Sequence, residues 1–295
     1  MPSTGEGSDG TQCKEAVERA LRKVPPRLKT PDTLKSIGYI VFNLMLVLAC
    51  LLILYPGYCA IAHALKGSAP SLIVLDIFAY GVYCHLAGAC IFALYVIGHD
   101  GVHHSISSYP ILNDVLGQLC VGVIGIPFTP FRITHMLHHL HHNHLDKDAH
   151  VHWMEPERFS YLNALRNSPI VSAIICQLGI PLHIYFGALD GSLLFPVFGQ
   201  LGKYYLKHLS PGLLCRHVLS LAGLCFIQWS IYCIGLWSGI SDGSLLHHIL
   251  WYGGPLASAH QWLFVVAYLE HHDHRQLPKV SKSSGQQWNI YLSLN

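Results

Sequence analysis

Apolar residues along this chain fall into long runs separated by short polar stretches. A helix needs about 20 apolar residues to cross roughly 30 Å of hydrocarbon. Residues 37–55 reach that length, and so do residues 72–97, with Pro70 just before them. Residues 213–237 and 249–269 are two more such runs. Residues 169–189 form a weaker one, broken by Gly179, Pro181 and His183. Residues 111–128 are apolar but carry Asn113, Asp114, Gln118 and several glycines, which predicts an interfacial or re-entrant segment. The pattern therefore predicts an all-α integral membrane protein.

Basic residues give the orientation, because cytosolic loops are enriched in lysine and arginine. The N-terminal stretch carries Lys14, Arg19, Arg22, Lys23, Arg27, Lys29 and Lys35. Residues 56–69 contain only Lys66, and residues 238–248 contain none. Arg132, Lys147, Arg158 and Arg166 lie beside the histidines of residues 135–152, and Lys203, Lys207 and Arg216 follow residues 169–189. Four transmembrane helices in two hairpins satisfy this distribution, with the 169–189 segment lying on the membrane rather than crossing it. Both termini are then cytosolic. The chain divides into a cytosolic tail (1–35), a membrane domain (36–278) and a short polar C-terminal tail (279–295).

Composition agrees with a lipid-dissolved chain. Apolar residues make up 52% and charged residues 12%, against roughly 25% charged in soluble proteins. The net charge of +2 and the lack of a basic, aromatic-rich patch argue against nucleic acid as a partner. The ten cysteines are scattered, without Cys-x-x-Cys spacing, and read as small buried hydrophobes in a reducing compartment. The first 35 residues lack the apolar core of a signal peptide. Glu6, Asp9, Glu15 and Glu18 argue against a transit peptide, so the endoplasmic reticulum is expected.

The chemistry lies in the 22 histidines. His99, His103 and His104 stand at the end of the second run. His135, His138, His139, His141, His142, His144, His150 and His152 form a denser group. Both groups fall on the predicted cytosolic side, as a histidine-rich cap. Positions i and i+4 share a helix face, so His99 and His103 can approach one ion. His104 points about 100° away on a regular helix and could serve a second ion. His135, His138 and His139 share a face too, and so do His138, His141 and His142; spacing alone leaves both registers open. Imidazoles with no cysteine nearby suit iron or zinc. Asp100 is a candidate to orient an imidazole through its distal nitrogen. Solitary histidines such as His63, His85 and His217 read as packing or hydrogen-bonded residues. A metal transporter would be expected to group such ligands at membrane depth. Here Asp76 and His85 are the main candidates within the second run, and His217 and His260 stand singly in later ones.

The histidine patterns resemble those of the membrane fatty acid desaturases, most closely the delta-12 and omega-3 acyl-lipid type. His99-Asp-Gly-Val-His103-His104 matches that family's first box, His-x-x-x-His-His. His135-Met-Leu-His138-His139 matches its second, His-x-x-His-His. Similar too are Leu112-Asn-Asp-Val-Leu-Gly117, Phe131-Arg132, and residues around 20–35 and 249–278. In the family an acidic-basic-acidic run follows the second box. Leu145-Asp-Lys-Asp148 takes that place here and selects the register His135, His138, His139. The resemblance implies a metal site of His99, His103, His104, His135, His138 and His139 holding two iron ions. It also implies O2-dependent insertion of a cis double bond into a fatty acyl chain of a membrane lipid. Electrons would come from a b-type cytochrome or ferredoxin donor protein. Plastid members look alike in their boxes, so a plastid membrane is the alternative location. A related di-iron lipid hydroxylase, ketolase or acetylenase shares the same boxes.

The family's third box has no full match. Tyr268-Leu-Glu-His271-His272 has tyrosine at the first position, and residues 280–295 contain no histidine. The expectation is a C-terminally shortened, catalytically impaired desaturase, weak or inactive on its own, unless His271, His272 or His274 substitute. Such a chain would bind metal or pair as a homo- or hetero-dimer with a complete subunit.

Overall fold

The computed structural model describes residues 30–65, 70–140 and 210–271, with short pieces at 19, 23–25 and 207–208. Every regular element among them is helical. Helix α1 (Thr33–Ala49) passes through a π-helical turn (Cys50–Leu54) into α2 (Tyr55–Leu65). Then come α3 (Pro70–Val102), α4 (Pro110–Val123), α5 (Phe128–Leu140) and α6 (Pro211–Trp237). The last run is α7 (Leu245–His248), a second π-helical turn (Ile249–Gly253) and α8 (Gly254–His271). The 169–189 segment, the histidines from His141 to His152, Leu145-Asp-Lys-Asp148, most of the 1–35 tail and the 279–295 tail lie outside the described residues.

Three helical stretches are long and apolar enough to cross a membrane: Thr33–Leu65, Leu72–Val102 and Pro211–Trp237. They contain three of the expected runs. Their outward faces carry Phe42, Met45, Ile77, Phe78, Phe226 and Trp229 exposed, an apolar surface suited to hydrocarbon. The α4–α5 pair is apolar but bent by 97°, the geometry of a broken span or a re-entrant loop. It falls where the polar-interrupted run 111–128 predicted such a segment. The fourth expected span, 249–269, lies on the α7–α8 run. That run is not among the helices passing by length and composition; its polar His260 and Gln261 interrupt the apolar sequence.

Helix starts are written locally. Asp32 caps α1 through the Lys35 N–H, Ser210 caps α6 through Leu213, and Ser244 caps α7 through His247. Pro110 and Pro211 open α4 and α6, where a missing N–H costs nothing. Proline also explains the two π-helical turns. Pro56 and Pro255 have no N–H for the carbonyl four residues back. The preceding residues, Tyr55 and Gly254, instead donate to Cys50 and Ile249, five residues back. In the second turn the Leu250 and Trp251 carbonyls accept the hydroxyls of Tyr80 and Tyr83 on α3. Backbone groups in an apolar surround need such partners.

Those bonds also set the packing of α8 on α3. Tyr80 meets Leu250, 170 positions later. Farther along, Gly88 lies against Ser258, Phe92 stacks on Trp262, and His85 packs tilted against it. The two helices thus run parallel in one register. A Cβ at Gly88 would collide with Ser258 and the Pro255 carbonyl. By the same register the backbone of His271 comes level with Gly101, near the first histidine group.

The α4–α5 corner is buried and its carbonyls are satisfied. Gln228 on α6 donates to the Gly122 carbonyl at 2.7 Å, and Tyr252 donates to that of Val123. Gly125, at φ 84°, closes α4 with Gly125 N–H on Gly122 and Ile126 N–H on Val121. Gln118 accepts from the Phe128 N–H and the Ser220 hydroxyl, tying the corner to α6. Gly117 leaves room for the Phe128 ring, which a Cβ there would strike.

Candidate metal centre

Helix α3 has 33 residues, about 50 Å at 1.5 Å per residue. That exceeds the hydrocarbon thickness of roughly 30 Å, so part of α3 extends past the apolar layer. His99 lies in its last turn and His103 directly after its end. The start of α1 sits beside this end: the Thr33 hydroxyl donates to that of Ser107 at 3.0 Å. The 106–109 loop is pinned by Asn113, fully buried at the start of α4. Its side-chain oxygen accepts from the N–H groups of Ile106 and Ser107. Its amide donates to the carbonyls of Ser107 and Tyr109.

Helix α5 crosses the end of α3 and presents its own histidines there. His99, His103, His135 and His139 form one group, with a ligand atom of each within 4.8 Å of the others. The Nε2 atoms of His103 and His135 are 3.1 Å apart, and those of His135 and His139 are 2.8 Å apart. A tetrahedral ion with bonds of about 2.0–2.1 Å needs nitrogens about 3.4 Å apart. Both separations are a few tenths of an ångström shorter than that value, so small side-chain shifts outward suffice. The donors are four imidazoles without a thiolate, a set suited to iron or zinc. His135 is buried while His139 is exposed, so the group opens on one side. Burial, with His99 adding to it, pulls the His103 pKa below its ordinary value. The neutral ring is the form that binds metal.

The remaining predicted residues fall elsewhere. His138 is buried, with its ring 6.0 Å from His135 and 5.6 Å from His139, and is outside the four-histidine group. His104 is outside it as well: its Nε2 lies 2.6 Å from an Arg132 nitrogen. Burial and Arg132 lower its pKa. Asp100 lies 3.6 Å from Nδ1 of His99, in reach of an ion pair but beyond a hydrogen bond. Single histidines take packing roles, as His85 does against Trp262. The side chain of His271, and His272 and His274, lie outside the described residues. Among described residues no disulfide joins the cysteines; Cys50 and Cys90 approach to 3.9 Å as thiols.

Two structural roles escaped the sequence reading. Asn113 and the Arg132–Asp114 ion pair (2.9 Å) hold the ends of α3, α4 and α5 together. These residues were noted as polar positions and as part of the family resemblance, without their partners.

Comparison with known proteins places the sequence among relatives over most of its length. The sequence model of the family "Fatty acid desaturase" matches residues 76–295. The chain is 27% identical over 259 residues to an omega-3 fatty acid desaturase of Caenorhabditis elegans, covering 87% of this chain and 57% of that protein. It is 26% identical over 272 residues to an acyl-lipid omega-3 desaturase (cytochrome b5) of the endoplasmic reticulum from Arabidopsis thaliana, covering 90% of this chain and 61% of that one. With a delta-12 fatty acid desaturase of Vernicia fordii it shares 24% identity over 277 residues, 89% of this chain and 65% of the relative. The chain thus spans a little over half the length of these relatives. A match over most of its length, carrying both histidine groups, makes this chain a member of the fatty acid desaturase family.

Proposed function

We propose that the chain acts in O2-dependent desaturation of a fatty acyl chain of a membrane lipid, in the endoplasmic reticulum, with both termini cytosolic. The observation that carries this reading is the four-histidine group at the ends of α3 and α5, in a member of this family. His99, His103, His135 and His139 would hold iron. Acid–base side chains cannot remove hydrogen from an unactivated methylene; a pair of irons, when bound, supplies the oxidising power. The acyl chain loses two hydrogens, and two electrons and two protons from outside complete the reduction of O2 to two waters. A b-type cytochrome is the proposed electron source, in keeping with the cytochrome b5 in the Arabidopsis relative's name.

The residues divide the remaining work. His135 sits on Phe131, 5.5 Å between ring centroids, and Tyr95 packs on Phe131 at the same distance. These rings hold the imidazole edge and shield it from water. His139 keeps the open side, where the metal and O2 can enter. His271, His272 and His274 are the proposed source of further ligands. Two hairpins of spans remain the proposed topology, with α8 returning toward the histidine end.

Expression in a host that lacks the activity tests this reading, with fatty acid products resolved by gas chromatography and mass spectrometry. A new double bond that disappears in His103→Ala supports it. A hydroxylated product would shift the assignment to the sibling chemistry, and the absence of any new lipid beside an iron-free protein would overturn it.

A further inference from the structure

Hydrocarbon offers a polar side chain no hydrogen bond, so such a group at a lipid-facing position turns back onto its own helix. Asn43 on α1 and Ser230 on α6 are partly exposed and do this. Each donates to the carbonyl four residues earlier, that of Tyr39 or Phe226, at 2.8 Å. One face of the bundle breaks the habit. His85 is exposed and is the sixteenth of the 33 residues of α3, close to the middle of the helix. Its ring lies 5.1 Å from that of Trp262 on α8, yet its nitrogens have no hydrogen-bond partner among the described residues. The Nε1–H of Trp262 finds no acceptor either. Beside Trp262, Gln261 is exposed and its amide is likewise unpaired among the described residues.

The same face is shaped to receive a helix. Gly81, His85 and Ala89 follow at every fourth position and so share one side of α3. Gly81 is exposed, and a Cβ there would meet nothing within 4 Å. On α8, Ala257, Gln261 and Val265 repeat the spacing, and all three are exposed. The shared register brings Gln261 level with residue 91 of α3. Small residues flanking polar ones let helix backbones approach closely enough in a membrane for side chains to hydrogen-bond. The chemistry of the face also selects its occupant. Two copies inserted the same way are related by a two-fold axis along the membrane normal, which keeps every residue at its depth. Each group then meets its own kind. An uncharged imidazole carries one donor and one acceptor, and a primary amide carries both as well, so each can pair with its like. Two lysines or two aspartates could not.

We propose that this face of α3 and α8 binds a second copy of the chain, with His85 and Gln261 hydrogen-bonding across the two-fold axis. Neither residue belongs to the four-histidine group, so the interface stands or falls apart from the iron.

The test follows energy transfer between donor- and acceptor-labelled full chains in liposomes as the protein is diluted in lipid, with native mass spectrometry of the detergent-released protein beside it. Wild type should associate as a dimer. His85→Leu and Gln261→Leu remove the polar groups and keep the bulk, so each should raise the dissociation constant about 3–30-fold. Gly81→Leu fills the open space on the same face and should abolish the dimer without lowering the thermal midpoint. Gly57→Leu, at an equally open position on α2, should leave the dimer intact. These sites are exposed and lie on separate helices, so a variant that fails to fold leaves the others to decide. A monomer at every dilution would overturn the proposal. So would a dimer that survives both Gly81→Leu and the His85→Leu, Gln261→Leu double variant, since the contact would then lie elsewhere. A monomer carrying one tightly bound lipid that is lost in His85→Leu would overturn it in favour of a lipid hydroxyl on this face, and a stoichiometric partner of different sequence would overturn it too.

Discussion

Replacing Tyr83 with phenylalanine removes one hydroxyl from a side chain only 3% exposed and leaves its shape unchanged. That hydroxyl donates to the Trp251 carbonyl in the π-helical turn ahead of α8. Pro255 cannot supply the missing donor, and Trp251 itself is fully buried, so water has little access. A buried carbonyl left unpaired costs about 1–3 kcal/mol, and about 2 kcal/mol is expected for Tyr83→Phe. Restoring a local donor should recover much of it. Pro255→Ala returns an N–H to the turn, so Tyr83→Phe should cost at least about 1 kcal/mol less beside it. Unfolding in mixed dodecylmaltoside and SDS micelles, followed by far-UV circular dichroism, gives all four corners of the cycle. A Tyr83→Phe effect within about 0.5 kcal/mol of zero would refute the reasoning, because ordinary surface changes are that small. An equal loss with and without Pro255 would refute the link between the proline and the tyrosine.

Other perturbations probe separate parts of the structure. Asn113→Ala strands the Ile106 and Ser107 N–H groups and the Ser107 carbonyl, so a loss of about 3–5 kcal/mol is expected in the same unfolding assay; a loss below about 1 kcal/mol would mean that the 106–109 loop is not held by this side chain. Asp242 accepts the Ser244 N–H at 2.8 Å and lies 3.3 Å from His247. The Ser244 bonds foremost, then His247, hold its carboxyl below its ordinary pKa of 3.8. A depressed carboxylate pKa stabilises the fold above the unfolded value, and that contribution fades as the pH falls through the folded one. Wild type should therefore melt above Asp242→Asn at pH 6, with the gap closing below pH 3.8; a gap that persists at low pH would contradict the assignment.

Helical spacing carried much of the site. His99 and His103, and His135 and His139, are each four apart, and the structure brings all four together. The patterns also named His104 and His138, which the four-histidine group leaves out. No glycine marks the left-handed turn at His104, so sequence periodicity carried on past the point where the helix stops. His138 is offset from His139 by one residue, and one residue turns a helix by about 100°. Three apolar runs became helices long enough to cross a membrane. The run 249–269 was harder to read, because a proline and two tyrosines on another helix jointly determine its π-helical turn. Polar residues between 111 and 128 did signal an unusual segment. Their partners, however, are Arg132, Ser220 and backbone groups of the 106–109 loop, contacts between parts of the chain that local patterning does not contain.

The central claim is that His99, His103, His135 and His139 hold iron. Iron content together with iron K-edge X-ray absorption, measured on the purified full chain and on His135→Ala, tests it most directly. The expected result is iron in the wild type with outer-shell scattering from at least four imidazoles, and loss of iron in His135→Ala. Iron without imidazole scattering, or wild-type iron content in His135→Ala, would contradict it.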